Sequence, residues 1–281
     1  MSNSSGIIYI VATPIGNLQD LSPRAVEVLR EVDLIWAEDT RHTRKLLNHF
    51  NIDTPAKALH DHNEKQISGH VCDRVLGGET CALVSDAGTP LISDPGFVLV
   101  REAHARGIRV CPIPGPSAVI AALSASGLPS DRFVFEGFLP AKSVGRKEKL
   151  KALRSEPGTM IFYESPRRLQ ETVDDMCAIL GGERRVVIAR ELTKLYETIR
   201  QMSLNELVQF LIDDENQSRG ELVLLVEGNH EPAGEEVMLD INVLLQELVE
   251  QLPVKQAAAL AAKLTGKKKN ALYEQLLQLK E

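Results

Sequence analysis

The chain has few of the residues that mark exported, metal-binding or membrane proteins. Its four cysteines, Cys72, Cys81, Cys111 and Cys177, stand in apolar stretches without paired spacing. They read as reduced core residues rather than as disulfides or zinc ligands. No run of eighteen apolar residues occurs, so no transmembrane helix is expected. The opening MSNSSGIIYIVATPIG carries no basic leader or cleavage pattern, and its apolar part reads as a strand. A cytoplasmic protein with no membrane partner is the expectation. Two nucleotide signatures are missing as well. There is no G-x-x-x-x-G-K-S/T, which argues against a P-loop, and no G-x-G-x-x-G, which argues against a standard dinucleotide site.

Positive charge is also in deficit, with 32 Lys and Arg against 39 Asp and Glu and a net charge of −7. A protein coated for nucleic acid is therefore not indicated, but the basic residues cluster. KSVGRKEKLKALR (142–154) holds six basic residues and one acidic, KLTGKKK (263–269) four basic and no acidic, and RHTRK (41–45) three basic. Each run is a candidate for a solvated face or for a local contact with an anion.

With 281 residues, 43% of them hydrophobic, the chain can bury two cores. Short apolar runs followed by turn residues predict strands at 7–13, 33–38, 80–86 and 109–114. Helical patterns separate them at 21–32, with Ser22 as N-cap and Pro23 in the first turn, and at 96–107, closed by Gly107. Such alternation predicts parallel βαβ units. After PIPGPSAVIAALSASGLPS the pattern starts again, with RFVFEGFL, GTMIFYES, RLQETVDDMCAILG, RRVVIARELT, a helix near 203–214 and GELVLLVEG. We expect an α/β fold of two domains, 1–116 and 117–232. A helical tail over 233–281, of possible helix-turn-helix type, follows.

In open α/β sheets, ligands collect beyond the carboxyl ends of the strands. Three loops rich in Gly, Pro, Ser and Thr fall there: ATPIGN (12–17), SDAGTPLISDPG (85–96) and PIPGPSA (112–118). They bring main-chain groups close to a bound molecule. Acidic and imidazole groups follow other strands, in AEDT and in HDHNE (60–64). Glu38 and Asp39 are candidates for proton transfer or for capping the next helix. HDHNE places His60, Asp61, His62, Asn63 and Glu64 on one face, a ligand set competent for a divalent metal but cramped. No metal is expected. Phe135, Phe138, Phe162 and Tyr163 read as core rather than as platforms for bases.

The segments IYIVATPIGNLQDLSPRAVEVL, LIWAEDTRHTRKLL, LHDHNE, LVSDAGTPLISDPG, PGPSAVIAALSASGLPSDRFVFEGFLP and FYESPRRL resemble the tetrapyrrole methylase superfamily. They are most similar to its branch that methylates small-subunit ribosomal RNA. The resemblance spans essentially the whole chain. It implies two α/β domains with a cleft for S-adenosylmethionine between them, a homodimer, and 2′-O-methylation of a cytidine in the decoding region of 16S ribosomal RNA; the assembled particle is the expected substrate, with naked RNA left open.

By motif, the cofactor contacts it implies are Pro14, Ile15, Ala87, Gly88, Thr89, Ile92, Ser117 and Ala118, with Tyr163, Glu164, Ala189 and Glu191 from the second domain. Glu38 matches a catalytic acidic position of some members, with Asp39 and His60 beside it as further proton-transfer candidates. Arg41, Arg44, Lys45, Lys142, Arg146, Lys147, Arg167 and Arg168 would suit RNA phosphates. The tetrapyrrole enzymes have Gly-Gly-Asp-Pro in the central loop and usually Tyr-Met where this chain has Tyr163-Glu164, which argues for a different substrate. A small-molecule methyltransferase and a non-enzymatic RNA-binding factor of the same fold are the alternatives.

Overall fold

The computed structural model describes residues 6–229 and 241–279. The chain up to Asn229 forms one compact unit and the remainder a second. The first sheet is built from β1 (Ile7–Val11), β2 (Leu34–Ala37), β3 (Ala56–Ala58), β4 (Cys81–Val84) and β5 (Arg109–Ile113). Its order is β3-β2-β4-β1-β5 and every pairing is parallel.

The apolar runs are continuous because both faces of this sheet are covered. Ile35, Ala37, Ala82 and Val84 face Leu29 of α1 (Pro23–Glu31) and Leu47 of α2 (Thr40–His49). Leu34, Trp36, Cys81 and Leu83 face Val71 of α3 (Glu64–Leu76) and Leu99 of α4 (Phe97–Ala105). Ser22 caps α1, its Oγ accepting from the Ala25 N–H at 3.1 Å, with Pro23 in the first turn. All four cysteines are free. Burial pushes the Cys81 thiol up to about 12.

α5 (Ala118–Ser126) leads into a second sheet of β6 (Phe133–Phe138), β7 (Thr159–Glu164), β8 (Arg185–Arg190), β9 (Thr198–Ser203) and β10 (Leu222–Val226). Its order is β6-β7-β10-β8-β9. Only β6 and β7 run parallel; the other pairs are antiparallel. α6 (Ser143–Ala152), α7 (Leu169–Leu180) and α8 (Leu204–Asp213) cover one face. On the other, Val119, Ala122 and Leu123 of α5 pack on Ile161, Val187 and Leu225. Ile15, from the loop after β1, belongs to that same cluster, so the first sheet's loop docks on the second sheet.

Two elements have no clear sequence signature. α6 buries only Arg146 and Leu150 and reads as a charge run. β9 is an edge strand whose central Arg200 and Gln201 are exposed.

In the second unit, α9 (Ile241–Gln251), α10 (Val254–Thr265) and α11 (Lys269–Gln278) enclose Leu245, Ala257, Ala258, Ala261, Leu272 and Leu276. The alanines let helices approach closely, and Gly266, at φ 67°, ends α10 in the left-handed conformation. The expected boundary at 232/233 lies outside the described residues.

One expectation for RNA contact is corrected here. Arg146 is 2% exposed, and its Nε donates to Asp175 Oδ2 at 2.6 Å. Lys147 reaches the other oxygen of Asp175 at 3.3 Å. Burial pushes the Asp175 carboxyl up, but the hydrogen bonds from Arg146 and Lys147 outweigh it and hold it below its ordinary value. Arg146 therefore joins α6 to α7 and is closed to phosphate. Arg146→Met should cost about 3–5 kcal/mol in urea denaturation, because Asp175 is left buried without its main partner. A carboxyl with a lowered pKa stabilises above its unfolded pKa and loses that contribution as pH falls through the folded value. The gap between parent and variant should accordingly shrink on acidification.

Candidate functional site

The three Gly- and Pro-rich loops meet at the carboxyl end of the first sheet. Thr13 and Gly88 form an antiparallel bridge, Thr13 N–H to Gly88 O at 2.9 Å and Gly88 N–H to Thr13 O at 3.0 Å. Gly88 sits at φ 81°, a conformation that disfavours any side chain. The Thr89 hydroxyl donates to Pro116 O at 3.0 Å and so ties in the third loop. At the far end of the central loop, Glu64 is buried, and its Oε1 accepts from the N–H groups of Gly96, Val98 and Leu99 at 3.0, 2.8 and 3.1 Å. This carboxylate caps the start of α4, where the helix dipole favours it. That corrects the expectation of HDHNE as one face. Glu64 turns inward, and the Asn63 amide bonds to the His60 N–H and to Ala58 O.

Opposite these loops, β7 and β8 bring Tyr163 and Ala189 into the other wall. Between the walls lies a cleft of about 390 Å³. Ile15, Ala87, Gly88, Thr89, Ile92, Ser117, Ala118, Tyr163, Glu164 and Ala189 all line it. Pro14 and Glu191 do not, a correction to their expected place. Glu191, at φ 51°, accepts from the Glu221 N–H at 2.8 Å and from Lys194 Nζ at 2.9 Å, bracing the loop behind the wall. The Glu164 carboxylate is also turned into the protein, held by the Thr172 hydroxyl and Arg168 Nη2, both at 2.8 Å.

Sequence reasoning missed Asp94, Phe138 and the Gly220–Val223 stretch, all of which line the cleft. Phe138 is 57% exposed rather than core, its ring edge-on to Tyr163 at 5.6 Å. It follows Gly137, which at φ 63° sits where the register of β6 slips. A glycine inside a strand is the signal that was available. Burial, and next the charge of Asp94, push the Tyr163 phenol up to about 12, so it stays a neutral hydroxyl.

Two comparisons decide the family. The tetrapyrrole (corrin/porphyrin) methylases match residues 7–208, and the RsmI C-terminal HTH domain matches 236–280. The chain is 58% identical over 276 residues to ribosomal RNA small subunit methyltransferase I of Pseudomonas aeruginosa, covering 98% of both proteins. It is 56% identical to the protein of that name from Escherichia coli O157:H7, covering 98% of this chain and 96% of that one. The chain belongs to this family of tetrapyrrole methylases.

Solved structures share the fold. A cobalt precorrin-4 methyltransferase superposes with a TM-score of 0.61 at 16% identity, over 81% of this chain and 97% of its own. Diphthine synthase gives 0.62 at 16% identity, over 79% and 90%.

S-adenosylmethionine is the family's methyl donor, and the cleft fits it. Its volume lies in the range of about 300–1,000 Å³ usual for small-molecule sites. Ile15, Ile92, Phe138 and Leu192 offer apolar surface for an adenine and a carbon chain. Gly88, Thr89 and Ser117 offer close main-chain groups for its polar ends.

The acidic side of the site is unequal. Asp39 caps α2, accepting from the Arg41 N–H at 2.8 Å, and its other oxygen pairs with the Arg41 guanidinium at 2.8 Å. Those bonds hold its carboxyl down at about 2. Asp39 is thus a helix cap, which corrects its expected role in proton transfer. Arg41, expected on phosphate, is the other half of that pair.

Burial pushes Glu38 above its ordinary value, and the charges of Asp94, Asp86 and Asp61 add to the effect, against a 3.3 Å hydrogen bond from the Asp86 N–H. Burial likewise raises Asp94, against a hydrogen bond from the Ser85 side chain, with Asp86 and Asp61 adding. His60 Nδ1 is buried without a hydrogen-bond partner, and its ring lies 5.9 Å from that of His62. Among the described residues no group of three or more His, Cys, Asp or Glu is placed to hold a metal.

Ala87 is exposed on the cleft wall, so Ala87→Leu should fill the cleft without touching the core. Affinity for S-adenosylmethionine, read by calorimetry, should fall tenfold or more with the thermal midpoint held. Gly88→Val, by contrast, should cost about 2 kcal/mol or more of stability, because a β-branched residue is forced to positive φ. Ile15 Cγ2 also stands 3.4 Å from the added Cβ.

Proposed function

We propose that the protein transfers the methyl group of S-adenosylmethionine to the 2′-hydroxyl of a cytidine in the decoding region of 16S ribosomal RNA, within an assembled small subunit. The observation that carries this reading is the cleft, whose wall of close-approach loops includes the partly buried carboxylate of Asp94, in a chain whose full-length relatives are named for small-subunit ribosomal RNA. The cytidine and its 2′-hydroxyl follow the family resemblance. A hydroxyl acceptor also agrees with the acid groups, since its proton must leave as the methyl arrives.

The cofactor supplies an activated methyl carbon on a sulfonium, so the protein's task is to position the hydroxyl and receive its proton. Ile15, Ala87–Thr89, Ile92, Ser117 and Ala118 form one side of the holding site, and Tyr163 and Ala189 the other. Asp94 stands in the wall, and Glu38 is near enough for the charge of Asp94 to act on it. Raised carboxyl pKa values make both stronger bases than surface carboxylates. Glu38 accepts or orients the proton, and Asp94 presents a carboxylate at the cleft itself. His60, which follows β3 at the carboxyl end of the same sheet, is a further candidate to take the proton.

Among the expected RNA contacts, Arg44, Lys45, Lys142 and Arg167 are exposed and form no ion pair among the described residues. Arg168 is tied to Glu164 and Leu139 O, and Lys147 to Asp175. The 267–269 lysines of the second unit are exposed as well. Following the family resemblance we also propose a homodimer; sedimentation at the rate of a monomer would refute it. No helix among the described residues is long and apolar enough to cross a membrane.

Mass mapping of 16S ribosomal RNA from cells with and without the gene tests the reaction. Loss of a ribose methyl on a decoding-region cytidine is expected, and unchanged methylation would overturn the reading. Glu38→Gln and Asp94→Asn should each slow methylation of small subunits by about a hundredfold if they receive the proton, with cofactor affinity kept. The base form dominates above its pKa. The parent rate should therefore rise with pH through a value above the ordinary carboxylate range and then level off. The variant that removes the base should lose that rise.

A further inference from the structure

A second depression, of about 580 Å³, opens beside the cleft, and Pro166 lines both. Arg167, Gln170, Ile212, Ser218 and Arg219 contribute to it. Two connections build it. One is the 3-10 turn Pro166–Arg168 that leads from β7 into α7. The other is the 3-10 turn Glu215–Ser218 that leads from α8 towards β10. Each arginine is the chain neighbour of a cleft residue, Arg167 of Pro166 and Arg219 of Gly220.

The two guanidinium groups differ from the arginines around them. Arg168 donates to Glu164 and to Leu139 O, and Arg190 to the carbonyls of Arg219 and Tyr196 at 2.9 and 2.8 Å. The Arg190 bond fixes the main chain of Arg219 and leaves its side chain exposed. Neither Arg167 nor Arg219 has a side-chain hydrogen bond or ion pair among the described residues. Glu215 lies in the same groove and pairs with neither. In a chain of net charge −7, two exposed, unpaired arginines converging on one groove point to an external anion. Guanidinium forks match phosphate oxygens, the Ser218 hydroxyl adds a donor, and Ile212, 61% exposed, offers an apolar contact for a sugar or base.

We propose that this groove is a phosphate subsite for the RNA strand flanking the nucleotide in the cleft, with Arg167 and Arg219 holding a backbone phosphate. The proposal rests on the RNA-methylating reading above. Such contacts set the position of the strand without reading its sequence, and here they would fix how far the strand must run from the methylated ribose to its first anchor.

The test uses the full-length protein and purified small ribosomal subunits. Arg167→Gln with Arg219→Gln should raise the KM for subunits about tenfold or more. The slope of log affinity against log salt should become shallower by about one to two, with the thermal midpoint and cofactor affinity equal to the parent's. Arg167→Lys with Arg219→Lys keeps the charge and should keep the slope while losing part of the affinity. Glu215→Gln should tighten binding, a direction that a purely structural role for this groove does not produce. If the double Gln variant binds subunits with the parent's KM and salt slope while the parent methylates them, the subsite is refuted and the methylation reading stands. A parent protein that methylates no RNA refutes both.

Discussion

The pair of hydrogen bonds between Thr13 and Gly88 is the constraint on which the site depends. β1 and β4 are parallel neighbours, so their chains leave the sheet in the same direction and have no reason to pair again. An antiparallel bridge beyond their ends requires the loop after β4 to fold back on itself, and the positive φ of Gly88 makes that fold possible. Once it is made, Ile15 is delivered to the core of the second sheet, and the Thr89 hydroxyl reaches Pro116 O. The cleft is therefore the consequence of a local backbone choice made rigid at both ends, by Thr13 at one and by the buried carboxylate of Glu64 at the other.

The same logic sorts the charged residues. A charge near a strand end can cap a helix, brace a loop, or remain free for a ligand, and it cannot do all three. Asp39 and Glu64 are caps, and Glu164 and Glu191 are braces. Glu38 and Asp94 are held partly out of water by packing, and the charges of Asp86 and Asp61 act on both. Among the bases, Arg146, Lys147 and Arg168 hold helices and strand ends together. Arg44, Lys45, Lys142, Arg167 and Arg219 face solvent. An acidic protein can engage RNA in this way, through a few unpaired cations set beside the site instead of through an overall positive field.

Much of the architecture was legible because it is written in local patterns. Strands buried on both faces read as short apolar runs, Ser22-Pro23 announces a helix start, and the glycine- and proline-rich loops mark the ligand end of the sheet. Ten of the twelve residues that the family resemblance put around the cofactor line the cleft, from Ile15 to Ala189. α6 and β9 were obscure for a physical reason. One buries almost nothing apolar, and the other is an exposed edge, so neither leaves a periodic trace.

The sequence by itself determined the buried strands, the parallel run of the first sheet and the loops at its ligand end, since these follow from the period of apolar residues and from backbones that glycine and proline favour. Only the tertiary structure decided the standing of individual polar side chains. Arg146 meets Asp175 across 29 positions, Glu64 meets the start of α4 across more than 30, and Arg219 and Arg167 converge from separate connections. Whether a charge is buried and paired, or exposed and free, depends on what packing brings beside it, and no local pattern encodes that neighbour.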